Sequence, residues 1–182
     1  SVHAAGSDVL RIGLVGCGGR GTGAVVNALN ADPNARLVAL ADAFADRIAN
    51  ALVQLRRVKN DQVAVDADHQ FVGFDGYRKV IESVDVVLLA LPTFFHPHYL
   101  KACVDAGKHV FCEKPVDHSL DRIDKAINAV SKAGVQCQIG FNRRFDPNFK
   151  KLHDLVQTGK IGDLHILRIT SRDPAPPPIG PA

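Results

Sequence analysis

Residues 12–23 read IGLVGCGGRGTG, an apolar run that leads into a cluster of glycines. Glycine weakens both helices and strands, so such a cluster predicts a turn in the backbone. A side chain in this turn would prevent either its conformation or the close approach of another group. The run before the glycines has the length of a short strand. After them, Ala24, Val25, Ala28 and Leu29 repeat at helical spacing. The stretch therefore predicts a strand, a glycine turn and a helix.

The same alternation of strand and helix signals continues along the chain. Apolar runs predict strands at 11–16, 36–42, 69–74, 84–91, 108–113, 135–140 and 164–170. Apolar stripes predict further helices over 44–55, from Pro97 to Gly107, over 120–130 and from Asp146 to Gly159. This pattern predicts an α/β fold: a doubly wound parallel sheet in the Rossmann order 3-2-1-4-5-6, in three α/β/α layers.

Residues 16–21 match the pattern G-x-G-x-x-G. In a strand–turn–helix context, Gly16 permits the tight turn, Gly18 lets a pyrophosphate approach the backbone, and Gly21 lets the helix pack closely. Gly19 and Arg20 lie where the free N–H groups and positive dipole end of the helix attract phosphate. Arg20 either neutralises phosphate or is a solvated first-turn residue. The alternative for the whole pattern is a glycine-rich turn without a ligand.

Asp42 ends the second predicted strand, about 20 residues beyond the glycines, where a carboxylate binds the adenine ribose in such folds. Its charge would repel a 2′-phosphate, so NAD is the predicted cofactor. Arg47 lies close enough in sequence to keep NADP as an alternative. Asp42 could instead cap the helix that begins near Phe44.

Two further segments follow the fourth and fifth strands, at the edge of the sheet where the ligand lies. Pro92, Thr93 and His96 come after the fourth, and Glu113 and Lys114 after the fifth. All are predicted to contact the cofactor, His96 through a ribose or carboxamide. Lys114 is also the predicted catalytic residue, since an ammonium there can hold a substrate hydroxyl and stabilise an alkoxide. The alternatives are a helix-start role for His96 and a surface ion pair between Lys114 and Glu113.

Composition narrows the function classes. The chain of 182 residues is 46% hydrophobic and 23% charged, with a net charge of +3. This profile predicts a globular protein without a nucleic-acid partner or a membrane span. The four cysteines lack metal-ligand spacing, so buried reduced thiols, no metal site and a cytoplasmic location are predicted.

The motifs together resemble a known family. Residues 16–21, PTFFH at 92–96 and above all AGKHVFCEKP at 106–115 resemble the Gfo/Idh/MocA oxidoreductases. GFNRRFDPNF at 140–149 and SRDPAPPP at 171–178 are similar to its inositol 2-dehydrogenase branch. The first half is similar to another branch, which leaves a mosaic or designed sequence as an alternative to a natural one.

The resemblance implies a two-domain NAD(P)-dependent oxidoreductase acting on sugars or cyclitols. It implies that Lys114 lies beside nicotinamide and substrate and that the peptide before Pro115 is cis. It also implies a second domain that supplies an Asp and a His soon after 171–178, and the chain ends at that point. We therefore expect a Rossmann domain at 1–145, with a crossover helix, one strand and a proline-rich tail of the second domain at 146–182.

These expectations predict a truncated domain that binds NAD or NADP with little turnover. The alternatives are a non-catalytic nucleotide-binding or designed scaffold module and an S-adenosylmethionine-binding domain. The EKP motif and the position of the second glycine argue against the last of these. The strand at 164–170 would leave unpaired backbone groups, so self-association through it is predicted, or disorder of the segment if it does not pair.

Overall fold

The computed structural model describes residues 9–170, and the predicted proline-rich tail, DPAPPPIGPA at 173–182, lies outside them. Within these residues, six parallel strands form one sheet in the order β3-β2-β1-β4-β5-β6, which confirms the predicted fold class. The strands are β1 (Leu10–Val15), β2 (Ala35–Asp42), β3 (Gln70–Val72), β4 (Val86–Leu89), β5 (His109–Cys112) and β6 (Cys137–Ile139). The helices are α1 (Gly19–Ala31), α2 (Ala45–Lys59), α3 (Gly76–Ser83), α4 (His96–Asp105), α5 (Leu120–Ala133) and α6 (Pro147–Gln157).

Helices cover both faces of the sheet because successive side chains of a buried parallel strand point to opposite faces. Leu14 of β1 belongs to a core cluster with Val25 of α1 and Leu55 of α2. The next residue, Val15, belongs to a second cluster with Val80 of α3 and Leu100 of α4. Each face of β1 is thus sealed by a different helical layer, as the three-layer prediction requires.

Helix α3 was not predicted from the sequence. Its eight residues follow Asp75, and the Asp-Gly pair at 75–76 is typical of a turn. Tyr77, Val80 and Ile81 nevertheless repeat at helical spacing and are buried. The helix lies in the crossover that carries the chain from β3, at one edge of the sheet, to β4, which pairs with the other side of β1.

The predicted strand at 164–170 is wrong. The segment has neither helical nor strand structure, and its apolar side chains, which are those of Leu164, Ile166, Leu167 and Ile169, are exposed. A strand exists only where a neighbouring backbone completes its hydrogen bonds, and no segment of residues 9–170 pairs with this one. Its β-branched and apolar residues indicate a preference for extended structure, but they do not specify the neighbouring strand with which it would pair.

The chain divides into two compact units between Phe141 and Asn142. The first contains the whole sheet and α1–α5. The second contains α6, whose N-cap Asp146 accepts hydrogen bonds from the N–H groups of Asn148 and Phe149, as expected for a helix that begins at an Asp-Pro pair. No helix in the described part of the chain is long and apolar enough to cross a membrane.

Candidate functional site

The glycine turn begins immediately after β1. Gly16 has a φ of +96°, and a Cβ there would lie 2.4 Å from the carbonyl oxygen of Ala90. A Cβ on Gly21 would lie 2.1 Å from the carbonyl oxygen of Gly16. Neither position can take a side chain without movement of the backbone. Gly16 is therefore required by the turn, and Gly21 by the close approach of α1 to the end of β1.

Gly18 and Gly19 are different, because the fold itself does not require them. Gly18 has an ordinary φ of −71°, and no atom lies within 4 Å of a Cβ built at either position. Both residues stand at the N-terminus of α1, where Gly18 is an N-cap without a side-chain hydrogen bond and the first turn carries no acid. The first N–H groups of a helix have no acceptor within that helix, so the N-terminus of α1 can hold an anion here.

Asp42 is fixed at the C-terminal end of β2. Its Oδ2 accepts a hydrogen bond from the N–H of Cys17 at 2.7 Å, and its Oδ1 accepts one from the N–H of Phe44 at 3.1 Å. Asp42 is not the N-cap of α2, a position taken by Phe44. The carboxylate instead links the second strand to the glycine turn and keeps further lone pairs for a ligand.

A cleft of about 420 Å³ opens beside this link, at the C-terminal ends of the strands. It brings together four of the predicted cofactor residues, namely Gly16, Gly18, Asp42 and Pro92, and it is also lined by Arg47. Gly19, Arg20, Gly21, Thr93, His96, Glu113 and Lys114 do not line it. The position agrees with the rule that ligands of open α/β sheets bind outside the carboxyl ends of the strands, at the switch point.

One wall of the cleft is aromatic, and the sequence patterns did not predict it. Phe74 stacks on Phe95 with ring centroids 5.8 Å apart, and Tyr77 stacks on Tyr99 at 4.2 Å. The Tyr99 hydroxyl donates to the carbonyl oxygen of Phe74 at 2.9 Å, which ties the loop after β3 to α4. Phe74 and Phe95 both follow the ends of strands, and residues in such places lie at the edge of the sheet where ligands bind. Their position in the sequence could therefore have indicated this wall.

His96 is the first residue of α4, and it is only 1% exposed. Its Nδ1 lies 2.7 Å from the carbonyl oxygen of Pro115. A carbonyl can only accept, so Nδ1 carries the proton. Nε2 is buried and has no hydrogen-bond partner among residues 9–170. His96 thus contacts the segment after β5 and not the cleft, while Thr93 opens the short 3₁₀ turn between β4 and α4.

The EKP residues at 113–115 have three different environments. Glu113 is buried, and its Oε1 lies 2.6 Å from Nη2 of Arg20. Lys114 is exposed and does not pair with Glu113. The peptide bond between Lys114 and Pro115 is cis. Lys114 and Pro115 line a second, mainly apolar cavity of about 570 Å³ together with β6 and α5 residues, which include Ile127.

The cysteines form no disulfide. Burial raises the pKa of Cys17, Cys103 and Cys112 to about 12, and it also raises the pKa of the half-buried Cys137. These thiols are therefore protonated and unreactive at neutral pH. Within residues 9–170, no group of three His, Cys, Asp or Glu side chains is placed to hold a metal ion.

Known proteins share this fold and sequence. Residues 10–141 match the model of the oxidoreductase family GFO_IDH_MocA, described as an NAD-binding Rossmann fold. The chain is 42% identical to the myo-inositol 2-dehydrogenase of Thermotoga maritima over 171 residues, which are 93% of this chain and 47% of that protein.

Solved structures agree. A probable dehydrogenase from Thermotoga maritima matches with a TM-score of 0.78 and 42% identity, over 93% of this chain and 47% of that one. The scyllo-inositol dehydrogenase from Lactobacillus casei, with bound NAD(H) and scyllo-inositol, matches with a TM-score of 0.71 and 26% identity, over 85% of this chain and 43% of that one. The chain thus spans about half the length of the proteins it matches.

Proposed function

Because the chain belongs to the Gfo/Idh/MocA oxidoreductase family, and its residues 10–141 match the NAD-binding Rossmann domain, we propose that it binds NAD in the cleft beside Asp42. We propose further that it is the cofactor domain of a sugar or cyclitol dehydrogenase of the inositol type. Residues 1–145 would form that domain, and 146–182 would be the crossover helix and first part of a substrate domain.

The open space above Gly18 and Gly19 is the observation that carries this proposal. The fold leaves room for a Cβ at both positions, so packing does not explain why they are glycines. A pyrophosphate lying against the N-terminus of α1 does explain it, because it needs close access to the backbone. Gly16 and Gly21, by contrast, are explained by the protein itself.

Asp42 favours NAD over NADP. Two backbone N–H groups hold its carboxylate in place, so it cannot easily turn away from a 2′-phosphate. The two ribose hydroxyls of NAD can donate to its remaining lone pairs. Arg47 lines the same cleft and is the residue through which NADP would be tolerated.

The predicted residues that follow β4 and β5 would form the second half of the site. A Rossmann sheet carries one mononucleotide on each side of the switch point, so the segments after β4 and β5 receive the nicotinamide half. Pro92 and Thr93 would border it, and His96 would act by holding the Pro115 carbonyl. Lys114 would hold a substrate hydroxyl, while bound NAD would supply the hydride acceptor.

We propose that the 182-residue chain alone turns over substrate slowly. The chain spans 47% of the Thermotoga dehydrogenase. Alignment of donor and acceptor accounts for much of enzymatic acceleration, and a substrate bound only at Lys114 would be poorly aligned.

We also propose self-association through 164–170. Its exposed apolar residues and its unpaired backbone form a template for a second chain.

Titration calorimetry with NAD⁺ tests the cofactor proposal. Gly18→Ala should fold normally and bind NAD⁺ about tenfold or more weakly, because its methyl group occupies the phosphate position. Gly23→Ala, in the same helix and also in open space, should bind NAD⁺ like the parent chain. S-adenosylmethionine should give no saturable heat. A folded parent chain that does not bind NAD⁺, or a Gly18→Ala variant that binds it equally well, would refute the proposal.

A further inference from the structure

An ion pair joins the two halves of the proposed site. Arg20 is the second residue of α1, in the turn that faces the phosphate position. Glu113 follows β5, on the other side of the switch point. Nη2 of Arg20 lies 2.6 Å from Oε1 of Glu113, although the arginine side chain is 57% exposed and the glutamate side chain only 7%. The pair therefore extends from solvent at the phosphate position to a buried carboxylate beside Lys114.

Glu113 depends on Arg20 for compensation of its charge. Arg20 is the only side chain within residues 9–170 that forms an ion pair with it. Oε1 makes no hydrogen bond of good geometry, despite the short distance. Gly140 backs the carboxylate so closely that a Cβ there would lie 3.0 Å from Oε1. A buried carboxylate without its partner is costly, but a poorly aligned pair gives up its partner more easily than a bidentate one.

Glu113 and Asp42 occupy corresponding positions in the two halves of the sheet. Asp42 ends β2, the second strand of the first half, and Glu113 directly follows β5, the second strand of the second half. The two halves of a Rossmann fold each bind one mononucleotide. A carboxylate after β5 is thus placed to accept from the hydroxyls of the second ribose, as Asp42 is from those of the first.

We propose that the Arg20–Glu113 ion pair selects a whole dinucleotide over its ADP half. The inference rests on the proposed function, because it requires phosphate at the N-terminus of α1. Phosphate attracts the guanidinium of Arg20 away from Glu113, since both are anions competing for one planar cation. NAD replaces the lost partner with the hydroxyls of its second ribose. ADP has no second ribose, so it must either leave Arg20 with Glu113 or leave the carboxylate buried alone.

The test compares ADP, NAD⁺ and adenosine by titration calorimetry on the full chain. Glu113→Gln keeps the shape and removes the charge, so Arg20 becomes available to phosphate. ADP should then bind about tenfold more tightly, and the ratio of NAD⁺ to ADP affinity should fall by about the same factor. Adenosine, which has no phosphate, should bind the variant and the parent chain equally.

Arg20→Gln supplies the second arm, alone and combined with Glu113→Gln. In the parent background it should change ADP affinity by less than about threefold, because Arg20 is already engaged. In the Glu113→Gln background, Arg20→Gln should abolish the gain in ADP affinity. A Glu113→Gln variant with an unchanged affinity ratio, or a single Arg20→Gln variant that loses about tenfold in ADP affinity, would overturn the inference. Failure of the folded parent chain to bind any of the nucleotides would instead refute the proposed function.

Discussion

The carboxylate of Asp42 accepts a hydrogen bond from the backbone N–H of Cys17 at 2.7 Å. The bond joins the end of β2 to the glycine turn after β1, so the acid and the turn form one unit. The Cys17 thiol is buried behind them, with Sγ 3.5 Å from the carbonyl oxygen of Ala41. A change at Asp42 therefore acts on the turn as well as on the ligand, and substitutions must be chosen accordingly.

Asp42→Asn removes the charge but keeps an oxygen that can accept from Cys17. We expect it to fold normally, to bind NADH about tenfold more weakly, and to lose little affinity for NADPH, because a neutral amide no longer repels a 2′-phosphate. Fluorescence titration with both cofactors measures the ratio. Asp42→Arg is a poorer probe, since the Cys17 N–H would lose its acceptor. Equal losses for the two cofactors would show that Asp42 does not contact the ribose.

The strand order could be predicted because each half of the sheet repeats the same local pattern. Apolar runs such as 84–91 end at glycine or proline, and amphipathic stripes separate them, so the right-handed crossover rule leaves few topologies. Helix α3 was missed because its start resembles a turn. The segment 164–170 was assigned wrongly because strand pairing depends on a partner that local sequence does not specify.

The site was predictable only where it is local. Gly16, Gly18 and Asp42 could be predicted from their spacing alone, and all three line the cleft. The Arg20–Glu113 pair joins residues far apart in the sequence, and nothing in their local patterns indicates that they meet. The contact between His96 and the Pro115 carbonyl was not predicted, because it depends on tertiary packing that the local sequence does not specify.

Gly21→Ala should unfold more readily than the parent chain. Its Cβ would lie 2.1 Å from the Gly16 carbonyl oxygen, so α1 must move away from β1. We expect a loss of about 2 kcal/mol or more in the free energy of unfolding by urea. Gly23→Ala in the same helix meets no atom and should gain about 0.5–1 kcal/mol from helix propensity. Similar stabilities for the two variants would contradict the close-packing role of Gly21.

Lys114→Met should separate ligand binding from folding. The side chain is exposed, so its loss should leave the free energy of unfolding within about 0.5 kcal/mol of the parent value. NAD⁺ affinity should fall by about threefold to tenfold, whereas ADP affinity should not change, because ADP does not extend past the phosphates. Lys101→Met, at another exposed position on α4, is the control, and it also removes the exposed ion pair of Lys101 with Asp105. An equal effect on ADP and NAD⁺ would place Lys114 outside the nicotinamide half.

Alkaline pH should destabilise the protein through its buried thiols. Burial raises the pKa of Cys17, Cys103 and Cys112 from 9.0 to about 12. Between those values the unfolded chain releases thiol protons that the folded chain keeps, so stability falls as pH rises. The slope should approach about 4 kcal/mol per pH unit for the three groups together. Urea unfolding from pH 8.5 to 11 measures it, and Cys103→Ala should reduce the slope by about 1.4 kcal/mol per pH unit, which is the share of one thiol. An identical slope in that variant would contradict the assignment.

Self-association through 164–170 can be tested by sedimentation velocity. Ile166 and Ile169 are 84% and 63% exposed on a segment whose backbone pairs with nothing in residues 9–170. The parent chain should form concentration-dependent oligomers, and the double variant Ile166→Lys/Ile169→Lys should be monomeric, because lysines on an exposed edge oppose pairing by charge. Val53→Lys is the matched control, since Val53 is 70% exposed on α2 and lies outside the segment in the sequence. A parent chain that stays monomeric at about 100 μM, or a control that dissociates as the double variant does, would exclude this segment as the interface.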